Sequence, residues 1–437
     1  MHGITDPQGA PHERLRTIVF SGLWALMASA MLVESDSYRY VTIIFLIFAI
    51  VSHRTEVSVV SRDWLAILCY TWAAYAAIRF AFDVLVDDEK GTSEWLYVFP
   101  VFFPFLGVAL SASRRYIFSA GTLVVVSGLV ALLMSLDVPI LLSGKRATPL
   151  FHHNPIHAGI GSCMLFLTAV FWLLYAAETG RLREKSKWYV VTLGVVTAVL
   201  SLIGALGAQS KGAWLALAAT VAFMGIFSLL RYFRKWRGYL IAGLVVVTGA
   251  AVAIATPYVE RIAGKTIVAV VKLTDDSFST KDPFAAIQRA ITDPVTPGPM
   301  RQRLELWSNA MELIQAAPLV GWGNGWLREW RQTTYSDVGF TIIHNGYLEI
   351  MVRHGLLGII FLLGFAVVTA KKINDAHRRG QISSSLTAYI FSISFFFFCT
   401  ILTNSNNRLA IGESFFMIAG STVFALILGE AEAELEA

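Results

Sequence analysis

Charge is scarce in this 437-residue chain. Asp, Glu, Lys and Arg make up 15% of it, against about 25% in soluble globular proteins. Hydrophobic residues make up 56% and the mean hydropathy is +0.61, which excludes soluble α/β enzymes. Cysteine is scarcer still: Cys69, Cys163 and Cys399 each lie inside an apolar run, so there is neither a disulfide framework nor a metal-ligand spacing. They read as packing residues. A Gly-x-x-x-x-Gly-Lys phosphate loop is missing, and no paired carboxylates of glycosidase type stand out. The N-terminal stretch of about 16 mostly polar residues is unlike a short charged region with a cleavage site, so the first apolar run reads as a retained anchor.

What the chain does have is apolar runs bounded by charge. They fall near 17-33, 38-52, 63-82, 95-111, 116-136, 156-177, 188-207, 212-230, 238-256, 346-370, 383-402 and 409-429, and a hydrocarbon core of about 30 Å takes roughly 20 residues to cross. An all-α polytopic membrane protein with about twelve spans is expected. The net charge of +5 and pI near 9.0 come from short basic clusters between spans, a topology pattern rather than a nucleic-acid surface. Arg14/Arg16, Arg54/Arg62, Arg114/Arg115, Arg181/Arg183/Lys185/Lys187, Arg231/Arg234/Lys235/Arg237 and Lys371/Lys372/Arg378/Arg379 all fall on the N-terminal side. Both termini are therefore expected in the cytoplasm. The outer loop holding Asp83, Asp87, Asp88, Glu89 and Glu94 agrees with this.

The expected organisation is residues 1-256 with nine spans, an external segment 257-345, and residues 346-437 with three spans and an acidic, solvated tail from Glu430. A structureless segment as long as 257-345 would be unusual, so it should hold structure and function. Within it Arg301 to Ala316 reads as an amphipathic helix, with Leu304, Trp307, Met311 and Ile314 on one face that suits a membrane surface. Pro318, Gly321, Gly323 and Gly325 end it.

Basic residues on the outer side run against the orienting bias, and an anion site is one reason for them. Lys145/Arg146, Lys211 and the cationic segment 257-345 are the exceptions. Four constellations follow. His344 precedes Asn345, a plausible cap for span 10, and histidine can take a proton or donate to phosphate. Lys211, in Gln209-Ser210-Lys211-Gly212, opens span 8 and suits a phosphate contact as well as it suits an interfacial, snorkelling lysine. Arg301 and Arg303 offer bidentate forks for phosphate, or a solvated helix face with an Arg301/Glu305 pair. Arg146 lies ahead of His152, His153, Asn154, Pro155 and His157, where Asn154-Pro155 reads as a cap and first helical residue. No carboxylate or cysteine accompanies the histidines at a zinc-ligand spacing. Arg79 and Arg353, at membrane depth, either face a cavity or snorkel. Spans 6, 8 and 10 thus all enter from outside beside a cation or histidine. Such a site would not see cytoplasmic ATP, so its donor must arrive already activated, for example as a sugar on a lipid diphosphate.

Arg303-Leu-Glu-Leu-Trp307, Pro318-Leu-Val-Gly-Trp-Gly323, His344-Asn345-Gly-Tyr-Leu-Glu349 and Gly355-Leu-Leu-Gly358, in that order, resemble the O-antigen ligase and polymerase superfamily of bacterial envelope glycosyltransferases. Ser210-Lys211-Gly212 is similar to that family's Ser-Arg-Gly, with lysine in place of the planar arginine fork. His153-Asn154-Pro155-Ile156 looks more like the ligase branch. The resemblance implies a GT-C-like, inverting glycosyltransferase of the Gram-negative inner membrane with its site on the periplasmic face. Its donor would be undecaprenyl-diphosphate-linked O-antigen and its acceptor lipid A-core. His344, Arg303 and Lys211 would be catalytic; Arg301, Arg303, Lys211, Arg146 and Asn345 would bind the diphosphate, with His152, His153, Arg353 and Glu349 in support. Cations would replace a metal as the charge clamp, so no metal or cofactor is expected. An O-antigen polymerase, a protein O-oligosaccharyltransferase and a lipid or glycan transporter remain as alternatives.

Overall fold

The computed structural model describes residues 9–86, 88–89, 94–183, 187–231, 237–339 and 342–436. Of the charges used for topology, Asp87, Lys185, Arg234 and Lys235 lie outside the described residues. The chain begins with α1 (Gly9–Ala28), α2 (Ser37–Ser52), α3 (Arg54–Ser61), α4 (Trp64–Leu85), α5 (Phe103–Ser113), α6 (Ile117–Ser135) and α7 (Val138–Leu142). Next come α8 (Pro155–Glu178), α9 (Lys187–Gly207), α10 (Lys211–Arg231), α11 (Arg237–Thr280), α12 (Pro283–Thr292) and α13 (Gly298–Ala316). The last are α14 (Trp326–Trp330), α15 (Gly346–Arg378), α16 (Ser384–Thr400) and α17 (Ala410–Glu436). Val33 and Phe151 form an isolated bridge.

Among the described residues 6 stretches are long and apolar enough to cross a membrane, or 7 if α2 and α3, bent by 104°, count as one. Shorter apolar helices cover Lys211–Ile226 and Ser384–Thr400. This is a multi-pass, all-helical membrane architecture. The helix starts follow local chemistry: Asp63 accepts from Leu65 N, Asn154 from Ile156 N with Pro155 behind it, and Ser383 from Leu386 N. At the far end of α8, Glu178 accepts from Ser384 N (2.9 Å) and Ser385 N (2.8 Å), binding α8 to α16.

The expected division at 256/257 falls inside α11, which continues through Pro257 to Thr280. The tail is not solvated from its first residue, because Glu430 takes Lys372 Nζ at 2.6 Å and also pairs with Arg379. The amphipathic helix is α13, but protein covers its apolar face. Leu306, Ala310, Leu313 and Ile314 pack with Trp326, Trp330, Ile343 and Val352, while Trp307 and Met311 border this core. Trp307 Nε1 donates to Ile343 O (3.1 Å) and Trp322 Nε1 to Leu313 O (2.8 Å), so the indole N–H groups find carbonyls as they are buried.

α15 is broken at Gly355, whose backbone is left-handed (φ 60°, ψ −155°). The segment after α13 fills the break. Leu356 N donates to Pro318 O (2.8 Å), Leu357 N to Leu319 O (3.1 Å), and Trp322 N to Val352 O (2.8 Å). Leu356 N, Leu357 N and Val352 O would otherwise be left over by the kink. Arg79 from α4 donates to Gly321 O (2.7 Å), and Asp83 accepts from Asn324 N (2.8 Å). The core around α13 and α14 is thereby seated on α4 and α15 and holds the start of α15 in place.

Candidate functional site: a cationic cluster at four helix starts

The turn between α9 and α10 carries Lys211. Gln209, in left-handed backbone (φ 50°), donates through Nε2 to Gly144 O (2.9 Å), and Arg146 Nε donates to Ala208 O (3.4 Å). Lys211 Nζ donates to Thr266 Oγ1 of α11 (2.9 Å). Close approach on both sides fixes this turn. A Cβ on Gly159 would stand 2.8 Å from Ser210 Cβ, and one on Gly212 would run into Thr403 Oγ1. The start of α10 is thus wedged between the first turns of α8 and the chain after α16.

Arg303 joins from α13, half-buried. Arg146 and Arg303 both lie close enough to Lys211 to repel its ammonium, and Arg146 likewise acts on Arg303. Burial and then this repulsion lower the proton affinity of Arg303. Among the described residues no carboxylate is paired with Lys211, Arg303 or Arg146, whereas other arginines of the chain have such partners. Three cations brought together without a counter-charge form a preorganised seat for an anion carrying more than one negative charge.

His344 completes the site. Its backbone is left-handed (φ 55°), a conformation few non-glycine residues adopt. Nδ1 lies 3.1 Å from Asn404 Oδ1, and Asn404 Nδ2 donates to Asn406 Oδ1 (2.6 Å). With its Oδ1 facing His344, Asn404 accepts from Nδ1–H and leaves the lone pair on Nε2. Burial lowers the imidazole below its ordinary 6.5; the Asn404 bond opposes this, while Arg303 and His157 add to it. His344 is neutral at pH 7.

His157, which acts on His344, is in turn bonded to Glu34, in the short loop between α1 and α2. Phe151 N donates to Leu32 O (3.0 Å) and His152 Nε2 meets Met31 O (3.1 Å), so residues 150–153 are stitched to this loop. Glu34 takes His157 Nδ1 at 3.2 Å, His153 Nδ1 at 3.2 Å and His153 N at 3.3 Å, with His152 Nδ1 at 3.7 Å. Partial burial works against the carboxylate, yet the bonds from His157 and His153 bring its pKa below the ordinary value. Among the described residues no group of three or more His, Cys, Asp and Glu side chains is arranged to hold a metal ion.

Not every expected residue faces this site. Arg301 turns to the carbonyls of Asp293 (2.9 Å) and Thr296 (3.4 Å), not to Glu305. Asn345 spends its Oδ1 on Tyr347 N (3.0 Å) and Leu348 N (3.2 Å), the cap its position suggests. Glu349 and Arg353 are buried one turn further in, joined at 3.2 Å, with Arg408 also on Glu349 and Arg353 over the Trp326 ring at 4.8 Å. His152 is buried, whereas His153 is 90% exposed. Sequence reasoning missed Glu34, Asn404 and Thr266, and gave His157 no role.

Two comparisons bear on this arrangement. A protein of Haemophilus influenzae described as uncharacterized is 35% identical over 68 residues, 14% of this chain and 17% of that protein. The match thus spans about a sixth of the relative's length. Residues 196–363, which hold Lys211, Arg303, His344 and the interlocked break at Gly355, match the family model described as O-antigen ligase.

Proposed function

We propose that this protein is an O-antigen ligase of the Gram-negative inner membrane, with about twelve spans, both termini cytoplasmic and the cationic site at the periplasmic face. It transfers a glycan from undecaprenyl diphosphate to a sugar hydroxyl of lipid A-core. The observation that carries this reading is the gathering of Lys211, Arg303 and Arg146 without a neutralising carboxylate, beside a neutral imidazole. A lipid diphosphate supplies the missing negative charge.

The chemistry is a single displacement. The acceptor hydroxyl gives its proton to His344 Nε2 as its oxygen bonds to the anomeric carbon; the bond from that carbon to the phosphate oxygen breaks, and the electron pair leaves with the diphosphate. Lys211, Arg303 and Arg146 hold the charge that develops on the leaving oxygen, which speeds the step to the extent that they bind it more tightly than the intact donor. Asn404 keeps the imidazole in the tautomer that can accept. Arg301 has a structural place in this scheme, capping the turn at 293–296.

Deletion of the gene in its host, with lipopolysaccharide and extracted lipid-linked glycans run on gels, tests the reading. Loss of the whole lipopolysaccharide ladder, with long glycans accumulating on the carrier lipid, is expected. A ladder cut to one added repeat would instead indicate a polymerase, and an unchanged ladder would send the search to protein acceptors or transport. With purified protein, Lys211→Met and Arg303→Ala should each lower transfer at least about tenfold.

A further inference from the structure

Transfer by the reading above, on which this inference rests, leaves a proton in the site. His344 is a poor final holder for it. Its ring partner is the neutral amide of Asn404, and Arg303 acts on it as a like charge once it is protonated. A second imidazole stands close by with a carboxylate behind it. His157 Nδ1 lies 3.2 Å from Glu34 Oε1, so Nδ1–H is held by the carboxylate and Nε2 carries the lone pair. An imidazolium there has a counter-charge in contact, the feature that lets a buried carboxylate stabilise a protonated histidine in other acid–base sites.

The packing puts this pair in the same site. His157 belongs to the first turn of α8, whose Gly159 abuts Ser210, the residue before Lys211. Gly212 abuts Thr403, the residue before Asn404, which holds His344. His157 is close enough to His344 for the two rings to repel each other when charged. The side chain of His157 is 20% exposed and that of Glu34 37%, so solvent reaches the pair. We infer that Glu34 and His157 form a second acid–base pair of the site, on which the proton taken from the acceptor hydroxyl comes to rest before passing to water. The balance is simple: one proton moves from the acceptor oxygen by way of His344 Nε2 to His157 Nε2, while Nδ1–H of His157 stays with Glu34.

The charged groups facing the pair are His152 and His153 from the preceding segment, His344 from the start of α15 and, beyond it, Arg303 from α13. The test uses the purified full chain with a lipid-linked glycan donor and a lipid A-core acceptor, followed from pH 5 to 9. Glu34→Gln keeps the shape and a hydrogen-bond acceptor but removes the charge. It should lower kcat about tenfold and leave the donor KM within about twofold. His157→Ala should lose about a hundredfold and recover at least tenfold on adding imidazole, a rescue that a structural role for His157 would not show. That second variant decides the matter where Glu34→Gln fails to fold. Wild-type kcat in Glu34→Gln, or loss in His157→Ala that imidazole does not restore, would overturn the inference while leaving the ligase reading intact. Absence of transfer by the unaltered chain would overturn both.

Discussion

Gly321 and Gly355 interlock through left-handed backbone. Their φ angles are 64° and 60°; a Cβ on Gly321 would lie 2.6 Å from the backbone carbon of Arg353, and one on Gly355 would collide with the Leu319 carbonyl. Each glycine makes room for the backbone of the segment that the other belongs to. Left-handed backbone costs a substituted residue about 1–2 kcal/mol before any clash is counted, so Gly355→Ala and Gly321→Ala should melt well below the wild type in detergent or fail to accumulate. Gly364, further along α15, has nothing within 4 Å of such a Cβ, and Gly364→Ala should be neutral or stabilising by up to about 1 kcal/mol. Equal melting of Gly355→Ala and Gly364→Ala would show that the interlock contributes nothing.

Arg301 and Arg303 should part company on mutation. Arg301 is bonded to the carbonyls of Asp293 and Thr296, so Arg301→Ala should loosen the 293–296 turn, seen as faster proteolysis there, with the donor KM within about twofold. Arg303→Ala should do the reverse: transfer collapses and the fold persists. A large KM change in Arg301→Ala would return that residue to the diphosphate site.

Glu349 serves two guanidiniums, Arg353 at 3.2 Å and Arg408. Removing one member of such a buried ion group costs about 3–5 kcal/mol, because the charges left behind lose their compensation. Glu349→Gln should therefore show up in thermal stability and membrane yield, with any protein that does fold retaining its donor affinity. Unchanged melting would be inconsistent with this buried arrangement.

On the ligase reading, the pH dependence of transfer follows from His344, whose pKa burial holds below the ordinary 6.5. A base must be unprotonated to act, so the rate should be level from about pH 7 upward and fall as pH drops through the lowered value. The bond to Asn404 raises the pKa against burial. Asn404→Ala should thus push the acid limb further down while reducing kcat at least about tenfold, since the ring loses the tautomer that leaves Nε2 free. A limb moving to higher pH in Asn404→Ala would contradict this account.

Much of this was legible in local sequence, and the rest was not for a physical reason. The caps at Asn154 and Asn345 depend on the side chain and the next few backbone amides, all within one short stretch, and the structure has both. Lys211, Arg303 and Arg146 stand where basic residues oppose the topology bias, and they meet. Arg301 and Arg303 lie two residues apart, about 200° around the helix, and the structure turns Arg301 to the carbonyls of Asp293 and Thr296. Glu34 and Asn404 carried no such signal. Glu34 acts on His153 and His157 across 119 and 123 positions, and Asn404 on His344 across 60. Only the packing of helices brings them together.

That spread along the chain has a consequence for biosynthesis. The ribosome delivers Glu34 before Lys211 and Lys211 before Asn404, and the bond that sets the tautomer of His344 cannot form until the last of these has been inserted. A nascent or truncated molecule can hold the cationic residues yet lacks the group that prepares its base. On the ligase reading, competence for transfer begins only once Asn404 is in place, so copies inserted no further than Arg303 would gather donor lipid without consuming it.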